Sequence, residues 1–253
     1  MALFAADRPL RVAVFFSGGA SGFRYLAAHD PNYDVGYEVV GGFTSDPEAP
    51  GIEAFDAEDI PVEKQDIEAF YADLDASLTD LDVRREYDAE TADSIEGFEA
   101  DVILLSGYMW IVTDPITDRF PIINVHPADL AVEDNDGERL YVGADPVYDA
   151  IVAGEDATRS SVHFVTAAVD AGSILVRSKP LPVHRKLVDD LERFDAGGGI
   201  REYANAHQEW MKWQGDGPAI AKALELIASG RLDYDDGTVR IDGEPGYFDL
   251  GDG

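Results

Sequence analysis

Residues 100–106, Ala-Asp-Val-Ile-Leu-Leu-Ser, form a nearly continuous apolar run of strand length. Such a run fits a strand buried on both faces, as in a parallel sheet covered by helices on either side. A second inner strand is expected at residues 121–127, stopped by a proline. At the start of the chain, residues 11–17 form a β-branched run ending in Gly18-Gly19-Ala20-Ser21-Gly22, after which residues 23–28 can start a helix. Strand, glycine loop and helix open an α/β unit. Further strands are expected at 37–43 and near 60–62, with a helix around 52–58 between them, so the order alternates as a parallel sheet requires.

Helical spacing of Ile67, Phe70, Tyr71, Leu74 and Leu78 predicts a helix over 66–82, and another acidic amphipathic helix follows over 84–98. Residues 130–142 have no period and read as a surface loop. Residues 146–153 read as a helix, and strands at 160–166 and 173–178 form an antiparallel hairpin. Helices are expected at 185–194, 200–213 and 218–229. The segment from 233 to 253 reads as an acidic, turn-rich tail with one short hairpin and a frayed end. Neither an internal repeat nor a domain linker stands out, so residues 1–253 are expected to form one domain.

The net charge of −32 arises from 51 acidic residues against 19 basic ones, with Asp favoured over Glu and only five Lys beside fourteen Arg. This surface disfavours nucleic acid and anionic membranes as partners. Asp-rich, Lys-poor chains suit a salt-saturated cytoplasm, where screening relieves carboxylate repulsion, so a halophilic protein is expected; an ordinary acidic protein kept soluble by its charge is the alternative. Cysteine is absent, which excludes disulfides and thiolate chemistry. No signal peptide or membrane span is evident, which points to the cytoplasm. His29, His184 and His207 lack metal-ligand spacing, and the acidic turn at 233–236 lacks the alternation of a calcium loop. No metal is expected.

Asn124 and His126 lie two apart on an apolar strand, so both side chains share one face at its C-terminal end. That is where open parallel sheets place their sites. Polar groups in a buried strand must be satisfied or useful; alone, the two read either as a satisfied structural pair or as a catalytic one. The glycine loop alone reads either as a tight turn or as an anion cradle.

Together these segments resemble the folate-dependent formyltransferase family. Asn124-Val125-His126-Pro127 is similar to its Asn-x-His-Pro signature. Ser161-Val-His163-Phe-Val-Thr-Ala-Ala-Val-Asp170-Ala-Gly172 is similar to its Val-His-Phe-Val-Thr-x-x-x-Asp-x-Gly segment. The loop 17–22 resembles the phosphate loop Ser-Gly-x-Gly-Ser-Asn. Residues 100–112 resemble the strand leading into the folate-binding Gly-Phe-Met-Arg-Ile-Leu, and residues 224–232 the closing Ala-x-Gly-Arg-Leu. The likeness runs from about residue 11 to 232, with an apparent insertion around 66–82.

The resemblance implies a Rossmann-like formyltransferase fold and transfer of a formyl group from 10-formyltetrahydrofolate, as co-substrate, to a primary amine. Phosphoribosylglycinamide, in purine biosynthesis, is the favoured acceptor. In the family's manner Asn124, His126 and Asp170 would be catalytic. The amide and a protonated imidazole would stabilise an oxyanion, and Asp170 would favour the imidazole charge and order a water for proton transfer. Gly18, Gly19, Ala20, Ser21 and Gly22 would bind the substrate phosphate. Met109, Trp110, Ile111 and Val112 would bind the folate. Arg84, matching the Ser-Arg-x-x-Tyr-Asp segment before Tyr87-Asp88, would approach it, unless it is a solvated helix-face arginine. Glu209 would match the Gln-Glu-His acid that contacts substrate, with a surface carboxylate as the alternative. A monomer or homodimer is expected.

Three departures bear on the substrate. Trp110 stands where the family has Arg, Gly22 replaces the loop Asn, and residues 130–142 replace the family's Pro-x-x-Pro-Gly-x-His run. Two alternatives stay open: an amino-sugar nucleotide as acceptor, and a non-catalytic folate- or nucleotide-binding module. Methionyl-tRNA formylation is disfavoured by the acidity and by the lack of an added RNA-binding domain.

Overall fold

The computed structural model describes residues 8–194, 198–235 and 237–251. The chain runs through β1 (Leu10–Phe16), α1 (Ser21–His29), β2 (Tyr37–Thr44), α2 (Ile52–Ala57), β3 (Val62–Lys64), α3 (Ile67–Asp73), α4 (Leu81–Ser94), β4 (Val102–Leu105), α5 (Asp114–Thr117) and β5 (Ile122–His126). After a long loop come α6 (Pro146–Ala153), β6 (Ala157–Thr158), β7 (Ser161–Phe164), β8 (Ile174–Arg177), β9 (Leu181–Pro182), α7 (Arg185–Phe194) and α8 (Gly199–Met211). A π-helical turn (Lys212–Asp216) leads into α9 (Gly217–Ala228), and β10 (Leu232–Asp235), β11 (Thr238–Ile241), β12 (Glu244–Pro245) and β13 (Phe248–Asp249) follow.

The main sheet has the order β13-β8-β7-β5-β4-β1-β2-β3. Strands β3, β2, β1, β4 and β5 are parallel, and β7 and β8 form the expected antiparallel hairpin beside β5. Strand β1 shows why helices must cover both faces. Val12, Val14 and Phe16 pack on Phe23, Leu26, Ile220 and Leu224 of α1 and α9, whereas Ala13 and Phe15 face Phe43, Tyr87 and Ile103. Each large side chain so buried contributes about 1.5–3 kcal/mol. Among the described residues no helix is long and apolar enough to cross a membrane.

The helix expected over 66–82 is two. Helix α3 stops at Asp73, Asp75 adopts a left-handed φ of 51°, and the Asp80 carboxylate caps α4 by accepting from the Asp82 amide at 3.0 Å. Leu74 and Leu78, which set the helical spacing, stay exposed. Local capping and turn chemistry override the apolar period here. The third strand lies at Val62–Lys64 rather than near 60–62, and α5 was not anticipated.

Where a frayed end is expected, Phe248–Asp249 instead adds a strand parallel to β8. Arg177 Nε and Arg159 Nη1 donate to the Asp249 carboxylate at 2.9 and 3.0 Å. Burial of Asp249 opposes its charge, but these arginines outweigh that and hold it below the usual carboxylate range.

Candidate active site

The loops that leave the C-terminal ends of β1, β4 and β5 meet the β7–β8 connection around a cavity of about 370 Å³. Asn124, His126 and Asp170 all line it. Thus residues 124 and 170, far apart in sequence, are brought together, and the shared face of Asn124 and His126 opens on the cavity.

A fourth side chain joins them. His163 pairs with Asn124 across β7 and β5, and its Nε2 lies 3.2 Å from Asn124 Nδ2. His163 Nδ1 faces the Phe164 carbonyl at 2.8 Å and must be the donor there. Its Nε2 lies between the Asn124 amide at 3.2 Å and the Asp170 carboxylate at 3.5 Å, so the ring links the two. The sequence gives His163 only a local hydrogen bond. Its strand register opposite Asn124 was the available signal.

His126 is buried, and its Nε2 donates to the Tyr141 carbonyl at 2.8 Å. Its Nδ1 lies 3.5 Å from Asp170 Oδ2, while His163 Nε2 lies 3.5 Å from Asp170 Oδ1, so one carboxylate addresses both rings. Burial draws the His126 pKa below the usual histidine value; Asp170 and the Tyr141 carbonyl push it the other way. For Asp170 burial opposes the charge, but His163, His126 and the Gly143 amide together hold its carboxyl below the usual range.

Asp170 sits at φ 51°, a conformation unfavourable for a residue with a Cβ. Two contacts from the loop after β5 hold it. The Gly143 amide donates to Asp170 Oδ2 at 2.9 Å, and Arg139 donates to the backbone carbonyls of Asp170 and of Gly172, the latter at 3.0 Å. Arg139 therefore fixes the turn that presents the carboxylate. Nothing in the aperiodic run 130–142 marked it in advance, because its contacts are made to backbone oxygens distant in sequence.

The glycine loop divides between two places. Ser21 and Gly22 line the cavity; Gly18, Gly19 and Ala20 do not. A Cβ at Gly22 would stand 2.4 Å from Ser106 Oγ, and the Gly22 amide donates to that hydroxyl at 3.0 Å. This close approach accounts for glycine where the family pattern has asparagine. Ala20, at φ 50°, leads into α1, and a Cβ at Gly19 would meet open space.

Met109, Trp110, Ile111 and Val112 all line the cavity. The segment is pinned at both ends. Ser17 Oγ accepts from the Met109 amide at 3.1 Å, and buried Asp88 accepts from the Thr113 amide and hydroxyl, both at 2.7 Å. Arg84 does not line the cavity. It is 2% exposed, with its guanidinium 4.8 Å from the Trp110 ring centroid.

Glu209 points away, exposed and paired with Lys212. Besides Asp170, the acid that lines the cavity, as Gln208 and Lys212 do, is Asp216. It accepts from Ser160 Oγ at 2.5 Å, and burial pushes its carboxyl up to about 6. The glycines on either side gave the missed signal. A Cβ on Gly215 would stand 2.5 Å from Ser160 Oγ, and one on Gly217 would stand 2.2 Å from the Tyr25 ring, so this backbone is pressed against its neighbours. Among the described residues no group of three or more His, Cys, Asp or Glu side chains could hold a metal ion.

A largely apolar slot with a few converging polar groups suits a flat heteroaromatic donor, and the wall of Ser21, Lys212 and Asp216 suits a small polar acceptor. The fold is an open α/β sheet with its candidate site at the strand ends. The family model described as formyl transferase matches residues 10–194, and the chain belongs to that family. It is 30% identical over 161 residues to a phosphoribosylglycinamide formyltransferase of Haemophilus influenzae, covering 63% of this chain and 64% of that one. The match thus spans slightly less than two thirds of that relative's length. It is 29% identical over 112 residues to a formyltetrahydrofolate deformylase of Escherichia coli, covering 44% of this chain and 37% of that one. The fold is similar to glycinamide ribonucleotide transformylase 1 from Symbiobacterium toebii, with a TM-score of 0.66 and 23% identity over 93% of this chain and 95% of that one. It is equally similar to phosphoribosylglycinamide formyltransferase from Anaplasma phagocytophilum, with a TM-score of 0.67 and 22% identity over 96% and 98%.

Proposed function

We propose that this chain transfers a formyl group from 10-formyltetrahydrofolate to a primary amine, with phosphoribosylglycinamide as the acceptor. The observation that carries this is the single cavity in which the Asp170 carboxylate faces both His126 and His163, with the Asn124 amide beside them. The donor, when bound, supplies an electrophilic formyl carbon. Asn124 donates to the formyl oxygen as it gains negative charge, in a site where such a donor is already aimed. His126 has Nε2 anchored on Tyr141, which leaves Nδ1, beside Asp170, as the nitrogen that exchanges its proton with a bound group.

The residues proposed for the donor are Met109, Trp110, Ile111 and Val112, with Arg84 acting from behind Trp110. The acceptor phosphate is assigned to the Gly18–Gly22 loop through its amides other than that of Gly22, which Ser106 Oγ engages, aided by Lys212, and its polar groups to Asp216 rather than Glu209. A cytoplasmic, salt-adapted monomer or homodimer belongs to the same proposal, supported by the net charge of −32.

Hydrolysis, with water as acceptor, is the second reading, favoured by the likeness to a deformylase. Water needs neither a lysine nor a buried acid beside the loop, so the acceptor wall argues for an amine. The test is tetrahydrofolate release in about 2 M KCl with phosphoribosylglycinamide, with an amino-sugar nucleotide, or with no amine. Release dependent on phosphoribosylglycinamide is expected. Equal release without amine makes the chain a hydrolase, and donor binding with no release makes it a binding module.

A further inference from the structure

Beyond Met109 and Trp110 lies a second cavity of about 440 Å³ that shares both residues with the first. Its charged lining residues are Asp46, Asp66 and Glu68; no Lys or Arg is among the described residues that line it. A ligand in the first cavity that extends past Met109 and Trp110 therefore enters acidic surroundings.

The nearby cation is covered. Arg84 is enclosed by the faces of Trp110, Tyr71 and Tyr87, whose centroids lie 4.8, 5.3 and 5.5 Å from its guanidinium carbon. Both tyrosine hydroxyls are engaged elsewhere, with the carbonyls of Asp80 and Gln65. Arg84 Nη1 is buried without a hydrogen-bond partner. A guanidinium is the side chain best shaped to grip a carboxylate in a bidentate manner. Arg84 lines neither cavity, whereas Trp110, whose ring covers the guanidinium, lines both.

We infer that Trp110 is a specificity residue: by covering Arg84 at the edge of an acidic cavity, it makes the site indifferent to an anionic tail on its donor. The donor class is then a reduced pterin carrying an arylamine, whose distal end can be short, neutral or accompanied by cations. Glutamate residues on that end gain no ion pair. This rests on the donor proposed above. Arg84 is a latent carboxylate reader, silenced by one aromatic ring.

The test is calorimetric binding of three donors to the full chain in high salt: 10-formyltetrahydropteroate, which has no glutamate, and the mono- and triglutamate forms of 10-formyltetrahydrofolate. Affinities within about fivefold of one another are expected, the range of an exposed ion pair. In Trp110→Ala the monoglutamate should bind at least about tenfold better than the pteroate, as a charged bidentate contact allows. Trp110→Ala with Arg84→Gln should lose that preference. Glu68→Lys, an exposed change that leaves the cage intact, should favour the triglutamate over the monoglutamate. A wild-type preference for the triglutamate above about tenfold that Arg84→Gln abolishes would overturn the inference, as would Trp110→Ala and Glu68→Lys proteins that fold but show no tail preference. Failure of all three donors to bind the wild type would instead remove the donor itself, a separate outcome that overturns both proposals.

Discussion

Arg139 offers a direct way to ask whether the turn carrying Asp170 must be held in place. Asp170 occupies a left-handed conformation whose strain is on the order of 1–3 kcal/mol. Arg139 opposes that strain with two charge-assisted hydrogen bonds, to the carbonyls of Asp170 and Gly172, each worth about 1.5–3 kcal/mol when well made. Removing both leaves the Gly143 amide as the described hydrogen-bond donor to the Asp170 carboxylate, and strain then exceeds restraint. A displacement near 1 Å would pull the carboxylate from both imidazoles, and misplacement of that size costs on the order of 10²-fold in rate. Arg139→Ala should therefore lower kcat about 10²-fold with little change in donor affinity, and Arg139→Lys should restore part of it. The assay is steady-state turnover in high salt, with unfolding midpoints to confirm that each variant is folded. In an Asp170→Asn background Arg139→Ala should add almost nothing. Wild-type turnover in folded Arg139→Ala, or losses that simply add, would refute the restraint.

Asp216 should set an acidic limb in acceptor kcat/KM. Its carboxyl is raised to about 6, so the charged form that accepts acceptor protons is lost as pH falls through that value; Asp216→Asn should abolish the limb. Ser160→Ala removes a hydrogen bond that opposes the upward shift and should move the limb to higher pH. Gly19→Val places a side chain in open space at the loop and should raise the acceptor KM with donor affinity preserved; unchanged acceptor kinetics would make the loop a plain turn. The charge of −32 predicts an unfolding midpoint that rises between about 0.1 and 3 M KCl, and a flat or falling midpoint would remove the salt-adapted reading.

The inner strands were legible because burial on both faces leaves a run of apolar residues, unbroken in β4 and nearly so in β5. Asn124 and His126 were legible for the complementary reason, as polar interruptions of such a strand. The break between α3 and α4 was not, since Leu74 and Leu78 continue the helical spacing while Asp75 and Asp80 end and restart the helix by local geometry. Strand β13 was hidden because its pairing depends on Arg159 and Arg177, far away in sequence. The same limit applies in the site. Arg139 and Tyr141 act through backbone carbonyls and leave no local pattern, and Asp216, marked locally only by its flanking glycines, takes its partner from Ser160, distant in sequence.

The central claim is that Asn124, His126 and Asp170 transfer the formyl group as one unit. Steady-state transfer to phosphoribosylglycinamide, measured for Asn124→Ala, His126→Ala, Asp170→Asn and the His126→Ala/Asp170→Asn double variant, addresses it directly. Loss of the Asn124 donor should cost on the order of 10²- to 10³-fold in kcat. Asp170→Asn should be about as severe as His126→Ala, with the double variant little worse than either. Near-normal turnover in any folded single variant, or multiplicative losses for His126 and Asp170, would contradict it.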